Sequence, residues 1–303
     1  MKKILLVSGF VLSSFVAVIA QENPDSSEVN DAVLLIAPPL TETFHSTRII
    51  NGHSIETLEK GVLEFRIEHR FGDLAGSAGG VQNWFGFDNA ADIRFAFEYG
   101  LTNDLMIGLG RSKGTGAPYS SLVDGFVKYK LLKQGRNQMP LSMTLLATSS
   151  LTYMKASSDV AAVQHFPKFA HRFAYAYQLN LARKFNERIS VGLMPTYVHR
   201  NYVAASDVNG LFSLGGALKV GITPTVAVIF EYYQNFHDDE LRTSNKNSFG
   251  VAVEWVTFGH NFTINLTNSR GFGETQFIPY TFEEWSKGQF RLGFCISRKF
   301  VRG

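Results

Sequence analysis

From Leu63 to Phe71 apolar and charged side chains alternate without a break. Leu63, Phe65, Ile67, His69 and Phe71 share one parity, while Glu64, Arg66, Glu68 and Arg70 share the other. A β-strand sends successive side chains to opposite faces, so this segment has one apolar face and one fully charged face. The period recurs over Asp92–Leu101, where Ile93, Phe95, Phe97, Tyr99 and Leu101 oppose Asp92, Arg94, Ala96, Glu98 and Gly100. Ten further segments carry it onward, at 105–111, 122–132, 141–154, 172–185, 189–199, 211–222, 225–235, 247–257, 261–268 and 289–300. Twelve such segments, each long enough to cross a bilayer when tilted, predict an all-β fold, a transmembrane antiparallel up-and-down β-barrel.

The connections argue the same way. Membrane barrels of bacteria alternate short periplasmic turns with longer outer loops. Here the links after the second, sixth, eighth and tenth segments are brief (Thr102–Asp104, Asn186–Arg188, Thr223–Pro224, Phe258–His260), and that after the fourth, Lys133–Pro140, is somewhat longer. The remaining links are generally longer, from Asp73–Ala90 to Ser269–Gly288. An even strand number then puts both termini on the periplasmic side. A soluble β-sandwich also alternates, but its apolar faces are built of aliphatics packed between sheets. In this chain Tyr153, Phe173, Tyr175, Tyr177, Phe185, Tyr197, Tyr232 and Trp255 fall on the apolar parity and read as a girdle at the membrane boundary.

The first twenty residues place Lys2 and Lys3 before an apolar run and end with small residues at Val18 and Ala20, the pattern of a cleaved secretory signal peptide. Residues 21–60 then form an N-terminal periplasmic or plug segment: an acidic start, an apolar Val33–Ile36, and Pro38–Pro39. A hatch in the barrel mouth, a periplasmic lip and a disordered leader are all open readings of it. The barrel domain occupies 61–303, and the expected location is the cell outer membrane.

Charged residues make up 18% of the chain, below the roughly 25% of soluble proteins, which suits a wall facing lipid. A Lys or Arg facing lipid at the midplane costs about 2–4 kcal/mol, so the charges of the strands belong in the lumen. By parity these are Glu64, Arg66, Glu68, Arg70, Asp92, Arg94, Glu98, Asp124, Lys128, Lys130, Arg172, Lys219, Glu231, Glu254, Arg291 and Lys299, nine bases and seven acids. Such an interior can line a selective pore or fill a modest barrel with Arg–carboxylate pairs. Twelve strands lie between the eight that side chains can fill and the sixteen that leave an aqueous channel.

Other chemistry finds little footing. A net charge of +3 with scattered basic residues excludes a nucleic-acid footprint. The single cysteine, Cys295, offers neither an intramolecular disulfide nor a Cys-based zinc site. Gly108–Gly116 has the look of a phosphate loop but lacks Gly-Lys-Ser/Thr and a following helix. His237–Glu240 reads as a solvated loop, so no metal and no cofactor is expected. Ser286 and His69 fall where a lipid hydrolase could pair a nucleophile with a base, without a third residue to orient them, and the chain is read as a non-enzyme.

The run TRIINGHSIETLEKG (Thr47–Gly61), continuing as VLEFRIEHRFG (Val62–Gly72), resembles the opening signature of an uncharacterised outer-membrane β-barrel family of Bacteroidota, domain-of-unknown-function family 5777. NWFGFDNAADIR (Asn83–Arg94) and YGLTNDL (Tyr99–Leu105) are similar to its next segment. The resemblance implies an outer-membrane barrel and brings no catalytic residues. The carboxyl end departs from the common barrel pattern of a terminal aromatic, since Val301, Arg302 and Gly303 follow Phe300. The expected role is a porin-like channel or binder for passive passage of a small solute, with outer-membrane lipid and the barrel assembly machinery as partners. A closed structural or adhesive barrel is the alternative, and a lipid-acting enzyme the third reading.

Overall fold

The computed structural model describes residues 42–89, 92–114, 118–135, 139–205, 207–236 and 242–301. The expected signal peptide, the acidic start of the 21–60 segment and His237–Glu240 lie outside the described residues.

The strands are β1 (Leu63–Asp73), β2 (Asp92–Gly100), β3 (Leu105–Lys113), β4 (Ser121–Leu132), β5 (Ser142–Thr152) and β6 (Phe173–Lys184), followed by β7 (Ile189–Arg200), β8 (Gly210–Gly221), β9 (Val226–Phe236), β10 (Ser248–Thr257), β11 (His260–Thr267) and β12 (Arg291–Phe300). Each pairs antiparallel with its sequence neighbours, and β1 pairs with β12 to close a twelve-stranded barrel. Closure leaves no strand edge with unpaired N–H and C=O groups, which a bilayer requires of any sheet that crosses it. Short turns follow β2, β6, β8 and β10 and the longer links mostly follow odd-numbered strands, the exception being the β4–β5 link, which is longer than the β3–β4 link.

Alternation along each strand follows the chemistry of its residues. In β2, Phe97 is 55% exposed while its neighbour Glu98 is fully buried. Phe95, Tyr99, Leu109, Val127, Tyr177, Phe212 and Tyr232 are likewise exposed on the outward face. Register brings opposite charges together inside: Glu68 stands opposite Arg94 across β1 and β2. The expected placement of Arg172 on the lumen face of a strand is corrected. Arg172 precedes β6 in a 3-10 turn, Phe169–Arg172, and its guanidinium donates to the carbonyls of Thr152 and Met154 at 3.2 and 2.6 Å. A side chain with carbonyls to bind at the end of β5 is better satisfied there than in the wall.

The hydrophobic core lies inside the ring. Ala176, Met194, Val198, Leu211, Ala217, Ile229, Tyr233 and Ala252 of the wall pack with Phe44, Ile49, Ile50 and Ile55 from before β1, and with Phe277 and Ile278 from the last long loop. That loop contains the one-turn helix α1 (Glu274–Phe277), all of whose residues are buried.

Candidate functional site in the filled lumen

Two segments occupy the interior, one from each end. Near the short-turn end, His45 lies beside Glu254 at 3.2 Å, and at the far end of the segment the N–H of Lys60 donates to Asn103 of the β2–β3 turn. Between them the chain makes a tight hairpin: Arg48 bridges to His53, Ser54 N–H donates to Thr47 O at 3.0 Å, and Ile49 N–H donates to Gly52 O at 2.9 Å. Gly52 is required by close approach, because a Cβ there would stand 2.1 Å from the Tyr233 hydroxyl.

The wall holds this hairpin by its main chain. The Glu231 carboxylate accepts the N–H groups of Ile50, Asn51 and Gly52 at 3.1, 2.9 and 3.1 Å, three successive donors converging on one anion. Lys128 Nζ donates to the carbonyls of Thr47, Ser54 and Glu56 at 2.9, 3.2 and 2.8 Å, using all three ammonium protons. Thr144 donates to Ile55 O at 2.9 Å, and Glu98 accepts the Thr47 hydroxyl at 2.7 Å. Lys130 pairs with Glu56 at 3.4 Å, and the Lys219 ammonium lies 6.0 Å from the ring centre of Phe44.

Other wall charges engage one another. Arg94 binds Glu68 at 2.5 Å and makes a two-pronged contact with Asp124 at 3.0 and 2.6 Å. Arg66 pairs with Glu64 at 2.5 Å and reaches Ser46 and Thr47 of the hairpin strand. Its other nitrogen lies 3.0 Å from the buried Cys295 sulfur. Glu254 accepts from Asn261 at 2.7 Å. Lys299 is only partly buried.

From the long-loop end, α1 and its flanks meet the hairpin. Arg48 donates to Phe272 O at 2.8 Å, and His53 N–H donates to the Glu274 carboxylate at 2.9 Å. Arg70 spans both segments, donating to Asn51 at 2.6 Å and to the carbonyls of Ser269 and Gly271. Asp92 and Arg291 tie the same loop to the wall, through Arg270 at 2.8 Å and Glu283 at 2.8 Å. Burial, then the nearby Arg48 and Lys128, hold the His53 ring neutral, well below the usual 6.5. Burial raises Glu274 above the usual carboxylate range against the pull of Arg48.

Parity reasoning missed Arg48, His53, Arg270 and Glu274, which lie outside strands, and Tyr233, an aromatic on the inward parity of β9. The available signal was that Ile229 and Tyr233 share their parity with Glu231. Apolar side chains on a lumen face need an apolar cover, and the Asn51–Gly52 dipeptide between two short runs marks a turn that could supply it.

Ser286 and His69 have other engagements: the hydroxyl donates to Glu284 at 2.8 Å, and the ring stacks on Phe294 with centres 5.3 Å apart. No group of His, Cys, Asp or Glu suited to a metal ion occurs among the described residues.

The family described as a membrane-bound β-barrel domain of unknown function, DUF5777, matches residues 44–300. The chain belongs to this family. Its matched span begins at Phe44, so the hairpin is part of the DUF5777 domain together with the ring. No curated protein matches the chain. Among solved structures it is similar to the KdgM porin, with 8% identity and a TM-score of 0.48 over 79% of this chain and 99% of that one. It is also similar to the NanC porin, with 10% identity and a TM-score of 0.44 over 80% and 100%. The outer membrane protein Omp33 of Acinetobacter baumannii has 8% identity and a TM-score of 0.44 over 78% and 97%.

Proposed function

We propose that this protein is an outer-membrane passage for a small solute whose lumen is closed, in the described conformation, by its own hairpin and by the α1 loop. The observation that carries the reading is that the ring closes through β1 and β12 without the hairpin, which contributes no strand to the wall. The hairpin can therefore leave without opening the barrel. What holds it is exchangeable: water can replace the carboxylate of Glu231 at three N–H groups and the ammonium of Lys128 at three carbonyls. Once it leaves, Glu231 and Lys128 lose their hairpin partners and become free wall groups of opposite sign, and they set the preference among solutes.

The test is removal of residues 43–58 with the preceding leader retained, followed by ion conductance in planar bilayers. The shortened chain should fold, migrate differently in heated and unheated samples, and conduct several-fold more than the full chain. A shortened chain that folds but conducts no better, even with the α1 loop residues 271–281 cut back as well, would overturn the passage reading and leave a closed structural barrel.

A further inference from the structure

The link between β1 and β2 holds apolar side chains where water would meet them. Val81 is 77% exposed and Trp84 64%, with Phe85 and Phe87 exposed beside them. They belong to a kinked pair of 3-10 turns, Val81–Asn89. Trp84 and Phe85 both stand in the left-handed region, at φ 42° and 54°, and Gly86 follows at 85°. Non-glycine residues enter that region rarely and stay only where the surroundings fix them.

The surroundings here do fix them. Asn83 and Phe85 N–H both donate to Gly80 O, Gly80 N–H donates to Leu74 O, and Leu74 N–H donates to Phe290 O just before β12. Gly86 lies so close to the end of β1 that a Cβ on it would stand 2.6 Å from Gly72 O. The backbone is thus bound to the barrel in a strained form that turns rings outward.

Those rings continue the outer wall. Phe294 of β12 stacks on His69 of β1 at 5.3 Å, His69 meets Phe71 at 4.6 Å, Phe71 meets Phe87 at 4.8 Å, and Phe87 meets Trp84 at 5.1 Å. A strand the length of β1, at about 3.3 Å per residue and tilted about 40°, climbs roughly 28 Å, close to the ~25 Å apolar band of such barrels. Phe71 therefore marks the edge of the hydrocarbon, and the ladder carries on into the headgroup boundary, where tryptophan is favoured.

We propose that Val81–Asn89 is an interfacial anchor, with Val81, Trp84 and Phe85 inserted at the acyl–headgroup boundary of the leaflet on the long-loop side. The occupant is lipid because the patch is continuous with the lipid-facing wall through Phe71 and Phe87.

The chain has three tryptophans, so Trp255→Phe with Trp285→Phe leaves Trp84 as the single emitter. The probe is phosphatidylcholine vesicles brominated either near the headgroup end of the acyl chain or near its tail. Trp84 should lose most of its emission to the shallow bromines, less to the deep ones, and stay shielded from aqueous iodide. Emission untouched by either bromolipid but quenched by iodide would overturn the proposal and leave a surface for a protein partner. Should the double variant fail to fold, the difference in quenching between the full chain and Trp84→Phe gives the same answer, and no difference overturns it.

Discussion

The interior has two unlike sides. Along β1 and β2 the inward residues are mostly charged, and several satisfy one another, as in Glu64 with Arg66 and in Arg94 between Glu68 and Asp124 of β4. Along β6 to β10 the inward residues of the core cluster are small or apolar, and Met194, Ile229 and Tyr233 pack with the hairpin and with Phe277 and Ile278. The hairpin matches both: Phe44, Ile49, Ile50 and Ile55 pack on the apolar side, while Ser46 and Thr47 meet Arg66 and Glu98 on the charged side. The difference teaches that an ion pair closed within the wall, such as Arg94 with Glu68 and Asp124, does not need the hairpin, whereas an apolar inner wall is a docking surface. Each large apolar side chain buried there stabilises docking by at most about 1.5–3 kcal/mol.

The largest expected effect tests the self-sufficiency of the charged side. Arg94→Met leaves the buried Glu68 and the half-buried Asp124 without their cation, and removing one partner of a buried pair costs about 3–5 kcal/mol. Urea unfolding in detergent should show that loss in the full chain and equally in the chain lacking residues 43–58. A loss that vanishes in the shortened chain would mean that the charged side leans on the hairpin, and the contrast between the two sides would fail.

A smaller effect sharpens the comparison at the point where hairpin and α1 meet. His53, edge-on to Phe126 with ring centres 4.4 Å apart, is neutral when docked. Its folded value is depressed, so its support for docking is whole above 6.5 and fades as pH falls below that. Conductance should therefore climb on acidification below 6.5 in the full chain and not in His53→Gln. Glu274 acts in the other direction: its raised value gives support that is present below 4.5 and lost as pH rises through the folded value. In His53→Gln, acid should consequently favour closure. Conductance that is flat with pH in the full chain and in His53→Gln alike would remove both groups from the closing contact.

Strand number, strand limits to within a few residues and the alternation of turns and loops were all legible, because a period of two states which face each residue takes. Arg172 shows where that reading stops, since parity alone cannot see the carbonyls of Thr152 and Met154 that draw it out of the strand. The hairpin was not legible as such. Its contacts with Glu231 and Lys128 run through main-chain N–H and C=O groups that any sequence carries, so no side-chain pattern announces them. The outward rings of Val81–Asn89 were equally hidden, for nothing in NWFGF states that two aromatic residues take a left-handed backbone.

The central claim is that the hairpin closes the lumen and must move for anything to pass. A Cβ at Gly250 of β10 would lie 3.5 Å from the Ile50 Cβ, inside the span that a disulfide bridges, so Ile50→Cys with Gly250→Cys fixes the hairpin to the wall. Conductance of that variant, recorded in one bilayer before and after reduction, tests the claim directly. The account predicts a silent oxidised barrel that opens on adding reductant, while an oxidised barrel conducting as freely as the reduced one would contradict it.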